Sequence, residues 1–263
     1  MTDALELLAV ARAVAADAAA LVRERGASEV TVADTKSSRV DVVTQADRDA
    51  EALIRSRLAA VRPEDAVLGE EDGATDGASG VRWVVDPIDG TVNFLYGIPQ
   101  YAVSIAAEVD GEVVAGVVRN PATDVEWSAA RGHGAHRDGV RLQVRPAPPL
   151  AETLVLTGFG YDAHRRAVQG AAVARLLPRV RDIRRMGACA LDLCTLAEGS
   201  ADAYVEEGLN TWDYAAGGLI AAEAGARVEM HPGVDGATAL VVAGPQGFDR
   251  FLSAIRAAGL VGE

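Results

Sequence analysis

In WVVDPIDGTVNF, residues 83–94, an apolar run ends in Asp86 and Asp89 with Pro87 between them. Two carboxylates at the end of a buried strand are costly unless a cation or strong hydrogen bonds take up their charge. Other acids stand in similar places, beside a glycine or a helix start: Asp47 in DVVTQAD, Glu70 and Glu71 in VLGEEDG, and Asp213 in NTWDYAAG. Hard oxygen donors with no histidine nearby suit Mg²⁺ better than zinc or copper. Pro87 is expected to fix a turn that lets both aspartates face one pocket, making the Ile88 carbonyl a further ligand candidate. Gly90 and Thr91 then open a short helix expected over 92–96, whose free amides suit a phosphate oxygen. Carboxylates holding Mg²⁺ beside an anion cradle imply metal-assisted hydrolysis of a phosphoester. Phosphate monoesters are among the slowest uncatalysed hydrolyses, so such a device is proportionate.

Each acid also has a plain structural role open to it. Asp47 closes TQAD, a capping box with Thr44 at a helix start. Asp213 falls in the first turn of a helix, where the dipole favours an acid. Glu71 can be a solvated neighbour of Glu70. Asp86 and Asp89 resist such an account best.

The elements that must position these groups follow from periodicity. A helix is expected over 2–25 and a second over 45–61, with Ala50, Leu53, Ile54, Leu58 and Val61 as its apolar stripe. Strands are expected near 66–68, 82–85, 101–109, 112–119 and 125–130, with Asp110-Gly111 and Asp138-Gly139 as hairpin turns. Helices followed by a meander predict an antiparallel sheet covered by helices. The second half alternates: strands near 153–157, 180–184, 201–206 and 239–243, helices near 162–177, 188–198, 212–224 and 246–258. That is an α/β pattern with a mixed sheet and layered helices. The Pro-rich RPAPPL separates the halves, giving an expected division into 1–145 and 146–263. DGATDGASG, 72–80, reads as a flexible loop.

Composition narrows the function classes. The 263 residues are 49% apolar and 24% charged, with a formal charge of −13 and no basic block, which argues against nucleic acid as a partner. An anionic substrate would need bound cations to reverse that field. No apolar run reaches the roughly 18 residues of a membrane span, and no secretory signal precedes the first helix, so a cytoplasmic protein is expected. Cys189 and Cys194 fit neither a redox pair nor a zinc site and read as reduced core residues. The four histidines show no metal or triad spacing and are assigned to surface loops.

Taken together the motifs resemble the inositol monophosphatase family. DPIDGTVNF resembles its first signature, WDYAAGGLIAAEAGA its second, GEEDG its GEE element, and KSSRVDVVTQAD its mobile metal-proximal loop with the aspartate that follows. The likeness keeps the family's order from about residue 36 to 226. It implies a layered αβαβα sandwich, a homodimer, lithium inhibition, and two or three Mg²⁺ ions per site acting on a small-molecule phosphate ester such as myo-inositol 1-phosphate. By position, Glu70, Asp86, the Ile88 carbonyl, Asp89 and Asp213 would ligate metal. Glu70 and Thr91 would orient the attacking water, with Asp47 in the outer shell and Lys36 on the loop above. Gly90 and Thr91 amides would hold phosphate. Asp89, the Cys189 backbone, Glu206 and Asp213 would face the substrate, with Gly160 and Tyr161 on the pocket wall. Two departures stand out: Arg39 replaces the loop proline, and Tyr161 stands where many members have a small polar residue.

Rival readings remain at this level. Related phosphatases act on histidinol phosphate, fructose 1,6-bisphosphate, NADP or 3′-phosphoadenosine nucleotides, and the catalytic carboxylates do not separate them. Val92, where some histidinol-phosphate relatives carry lysine, and Glu206, suited to polyol hydroxyls, weigh for the inositol type. GFGYDA after a strand, with Asp182 about 20 residues on, is a weak dinucleotide fingerprint that would make the chain an oxidoreductase. A catalytically dead scaffold has no missing ligand to support it.

Overall fold

The computed structural model describes residues 3–26, 32–35, 42–234 and 236–262. The chain runs through α1 (Ala4–Gly26), a hairpin of β1 (Val32–Thr35) and β2 (Val42–Thr44), α2 (Gln45–Val61), β3 (Ala66–Gly69), β4 (Gly73–Thr75), β5 (Val81–Asp89) and α3 (Thr91–Leu95). A meander follows: β6 (Ala102–Val109), β7 (Glu112–Arg119), β8 (Glu126–Ala130), β9 (Gly134–Arg137) and β10 (Val140–Arg141). The remainder is β11 (Leu154–Thr157), α4 (Ala163–Leu176), β12 (Asp182–Arg184), α5 (Cys189–Ala197), β13 (Ala203–Glu207), α6 (Thr211–Glu223), β14 (Arg227–Pro232), β15 (Thr238–Ala243) and α7 (Pro245–Ala258).

The first sheet has the order β10-β9-β8-β7-β6-β5-β3-β4, and the second β12-β11-β13-β15-β14. The first is antiparallel apart from the β3–β5 pair, and the second mixes parallel β12-β11-β13 with antiparallel β13-β15-β14. Both faces of the first sheet are covered. Trp83, Val85 and Ile105 meet Leu7, Val14, Ile54 and Leu58 of α1 and α2, while Val84, Ala106 and Val118 meet Leu191, Ala216 and Ile220 of α5 and α6. Burial on both sides explains why β5 reads as a continuous apolar run rather than an alternation. The far side of α5 and α6 packs on Leu156, Tyr204 and Val242 of the second sheet, whose outer face carries α4 and α7. The layers are therefore α, β, α, β, α.

The middle layer accounts for the composition of WDYAAGGLIAAEAG. A helix held between two sheets must be apolar nearly all round, and small enough for the neighbouring backbones to come close. A Cβ on Gly217 would stand 2.9 Å from Leu193, and one on Gly116 of β7 3.0 Å from Ala216. Both turn pairs expected in the meander have positive φ: 53° and 82° at Asp110-Gly111, 47° and 80° at Asp138-Gly139. Both cysteines are buried and free, as expected.

Some expectations change. Residues 72–80 are not a flexible loop: β4 pairs with β3, and the amides of Ala78 and Ser79 both donate to the Glu64 carbonyl. The Ser79 hydroxyl donates to Asp65 at 2.6 Å, so this Gly-rich segment is pinned at the sheet edge. Strand β14 escapes sequence reading because RVEMHP is half-exposed, charged and ends in proline, as edge strands often do. Of the histidines, His136 lies in β9, His164 in α4 and His231 in β14 rather than in loops. Among the described residues no helix is long and apolar enough to cross a membrane.

Candidate active site

Strand β5 runs through both aspartates instead of ending before them, and a register shift explains their common direction. Asp86 pairs with Ser104 and Asp89 with Ala102, so three steps on β5 match two on β6. In a regular strand, residues three apart point to opposite faces. The bulge at Pro87-Ile88 adds one residue and restores them to the same side. Pro87 costs little there, since a bulge leaves a residue outside the ladder. The Ile88 amide donates to Asp86 Oδ1 at 3.0 Å, fixing that carboxylate. Gly90 then turns the chain into α3 with φ 91°, and a Cβ there would lie 2.9 Å from the Gln100 carbonyl oxygen.

Four helix starts surround this strand end. Asp47 is the third residue of α2 and accepts from the Thr44 amide at 2.8 Å, the capping-box contact expected from TQAD. Its other oxygen accepts from the Thr91 hydroxyl at 3.0 Å, so capping and the site share one carboxylate. Asp213 plays the same part in α6, accepting from the Asn210 amide at 2.6 Å. Asp89 accepts from the first two amides of α5, Cys189 at 3.2 Å and Ala190 at 2.7 Å. Helix N-termini carry partial positive charge, which offsets the repulsion of gathered acids.

One cavity of about 480 Å³ is lined by Glu70, Asp86, Ile88, Asp89, Gly90, Thr91 and Asp213 together with Gly160, Tyr161, Cys189 and Glu206. Asp47 stands behind Thr91. Lys36 and Arg39 lie outside the described residues. Sequence reading missed Arg165 and Arg185 on this wall; isolated arginines in a helix and a loop carry no local signal.

On the far wall, Glu206 rests against Gly158, where a Cβ would fall 2.0 Å from the carboxylate. That packing is one reason GFG needs its first glycine. Behind Glu206 the buried Tyr204 hydroxyl lies 2.8 Å from its Oε2 and 3.0 Å from Cys189 Sγ. With one proton to give, Tyr204 donates to the stronger acceptor, the carboxylate, and can accept from the thiol. Burial pushes the Cys189 thiol well up, which keeps it protonated for this role. Asp182, the acid of the dinucleotide fingerprint, pairs with Arg184 at 2.5 Å and is absent from the cavity wall.

Burial holds the carboxyl of Asp86 well above its usual range, with Glu70, Asp89 and Asp213 adding repulsion. Asp89 and Asp213 are likewise raised well, first by burial and then by neighbouring acids. Asp47 is raised by burial against the lowering effect of its hydrogen bonds from Thr44 and Thr91. Among the described residues no three such side chains already converge as a metal cage. The donor set nevertheless fits a hard divalent cation: all oxygen, buried at Asp86 and Asp89 and half-buried at Glu70 and Asp213, mutually repelling, and facing one cavity. A cation there relieves the repulsion that burial intensifies.

A five-layer αβαβα fold with a cleft of gathered carboxylates fits the class of metal-dependent phosphatases. The chain belongs to the inositol monophosphatase family, whose model matches residues 3–257, and is a phosphatase. It is 47% identical over 270 residues to the inositol-1-monophosphatase SuhB of Mycobacterium tuberculosis, covering 95% of this chain and 93% of that protein. The solved M. tuberculosis SuhB structure superposes with a TM-score of 0.86 at 44% identity, covering 100% of both chains. A protein of Pasteurella multocida named Nus factor SuhB is 41% identical over 196 residues, 74% of this chain and 73% of that one. Membership removes the oxidoreductase reading.

Proposed function

We propose that the substrate is myo-inositol 1-phosphate or a closely similar polyol phosphate, hydrolysed with Mg²⁺. The observation that carries this is the division of one cavity into an acidic strand end around Asp86 and Asp89 and an opposing wall bearing Glu206. Glu70, Asp86, the Ile88 carbonyl, Asp89 and Asp213 would hold two or three ions. Bound there, Mg²⁺ supplies Lewis acidity that neutralises phosphate and makes water a better nucleophile.

The residues do the positioning. Thr91 Oγ1 lies 3.0 Å from Asp47 and 3.1 Å from the Ile88 carbonyl, and its single proton goes to one of them. Its lone pairs are then free to accept from the attacking water, with Glu70 as a second orienting group. Asp47, raised by burial, is a better terminal proton acceptor than an exposed aspartate. The amides of Gly90 and Thr91 cradle phosphate. The carboxylates of Asp89 and Glu206 take substrate hydroxyls, and Asp213 contributes at the same wall. Cys189 acts through Asp89, because its amide is already donated to that carboxylate. Gly160 and Tyr161 bound the polyol side.

The formal charge of −13 supports a small-molecule phosphate ester rather than nucleic acid as the partner. Exposed Tyr96, Ile98 and Met186 on adjoining loops support a homodimer, checked by sedimentation. The reading also places the protein in the cytoplasm with lithium sensitivity. It divides the chain at about residue 145 into a part bearing most metal ligands and a part supplying Asp213 and substrate contacts.

Assay of a phosphate-ester panel with Mg²⁺, with and without Li⁺, tests the substrate. Preference for histidinol phosphate, fructose 1,6-bisphosphate or a nucleotide would overturn the inositol assignment. Gly158→Ala should displace Glu206 and raise KM for the polyol phosphate about tenfold or more, the scale of a lost hydrogen bond to a charged group. Turnover of 4-nitrophenyl phosphate, which has no polyol hydroxyls, should change little. Equal losses on both substrates would remove Glu206 from recognition.

A further inference from the structure

A second carboxylate, absent from the cavity wall, is tied to the same chemistry. Glu51 lies one turn after Asp47 on α2 and is 0% exposed, although most glutamates stay in water. It is not idle. Its Oε2 accepts from the Glu71 amide at 2.8 Å, and its Oε1 accepts from the Asp72 amide at 3.0 Å. Arg55 neutralises it from the next turn, with Nε at 2.9 Å and Nη2 at 2.8 Å from Oε1. Arg55 Nη2 also donates to the Gly73 carbonyl at 2.5 Å.

These contacts bracket Glu70. Its own amide donates to the Val85 carbonyl at 3.2 Å, beside Asp86, and the two amides after it are claimed by Glu51. Gly69, just before it, admits the carboxylate: a Cβ there would stand 2.2 Å from Glu51 Oε1. The turn from β3 to β4 is thus clamped by one ion pair on α2 whose carboxylate is fully buried. The same helix presents Asp47 to Thr91, so a single rigid element sets both flanks of the site. A carboxylate suits this better than an amide, because two oxygens can serve two backbone donors and a guanidinium together.

We propose that Glu51, braced by Arg55, is a positioning residue that sets Glu70 for cation binding. The proposal rests on the reading of Glu70 as a metal ligand. Partners that orient a ligand from behind typically contribute about 10–100-fold to metal affinity. Mg²⁺ titrated calorimetrically into the full-length, metal-free protein reads this without any turnover.

In Glu51→Gln, Mg²⁺ affinity should fall about tenfold or more, with circular dichroism retained. Activity should recover towards wild type as Mg²⁺ is raised, and KM at saturating Mg²⁺ should be unchanged. A residue that merely supports the fold would lower the melting temperature and leave Mg²⁺ affinity alone. If Glu51→Gln does not fold, Glu51→Asp carries the same readout, since it keeps the charge and loses the reach to both amides. Glu70→Gln separates the two claims. Should Glu70→Gln bind Mg²⁺ as wild type does, the ligand reading fails. Should it bind weakly while the folded Glu51 variant stays within twofold of wild type, the positioning proposal fails.

Discussion

Asp86→Asn is expected to lower kcat by about three orders of magnitude or more while leaving the fold intact. The variant keeps an oxygen for the Ile88 amide and loses the charge that a cation needs. Metal stabilisation of phosphoryl transfer is worth several kcal/mol, and about 1.4 kcal/mol is tenfold in rate. The same change should stabilise the chelated protein at high pH. Asp86 has a folded pKa well above its unfolded value, through burial first and then Glu70, Asp89 and Asp213. Between those two values the folded state binds more protons than the unfolded one, so stability falls as pH rises above about 4. Wild type in EDTA should therefore melt lower at pH 8 than at pH 5, and Asp86→Asn should reduce that difference. Mg²⁺ should raise the melting point of wild type far more than that of the variant. Calorimetry with and without Mg²⁺ checks both, and near-wild-type turnover would remove Asp86 from the metal site.

Thr91→Ala is expected to reduce kcat by about 10²–10³-fold with little change in KM, because a group that orients water acts mainly in the transition state. The hydroxyl is one of the hydrogen bonds that restrain the upward shift of Asp47. Without it the Asp47 carboxyl rises further, so the acidic limb of the kcat profile should move to higher pH. Thr91→Ser keeps the hydroxyl and should recover most of the rate and the original limb. An effect confined to KM would make Thr91 a phosphate-binding group only.

Local chemistry carried much of this into view from the sequence. The TQAD box and the apolar stripe located α2, whose observed bounds are Gln45–Val61, because helix periodicity and capping span only a few residues; Val61 alone of that stripe is exposed, since it stands at the helix end. Asp-Gly pairs located the hairpins for the same reason. The motif acids were legible as a set, since charge buried at a strand end is costly until a cation or a hydrogen-bond donor neutralises it. What the string of letters does not contain is direction. Asp86 and Asp89 share a face only because β5 slips one residue against β6, and that slip exists in the pairing, not in either strand alone. Glu51 sits among the apolar stripe residues of α2 and looks like a solvated glutamate until β3 and β4 bring the Glu71 and Asp72 amides to it. Tyr204 reaches Glu206 along β13 itself, but the thiol beside it arrives only when α5 packs on that strand. The sequence by itself determined the main helices, the central strands and the charges. Tertiary structure alone decided which charges meet, because residues far apart in the chain become neighbours only when sheets pair and helix starts converge.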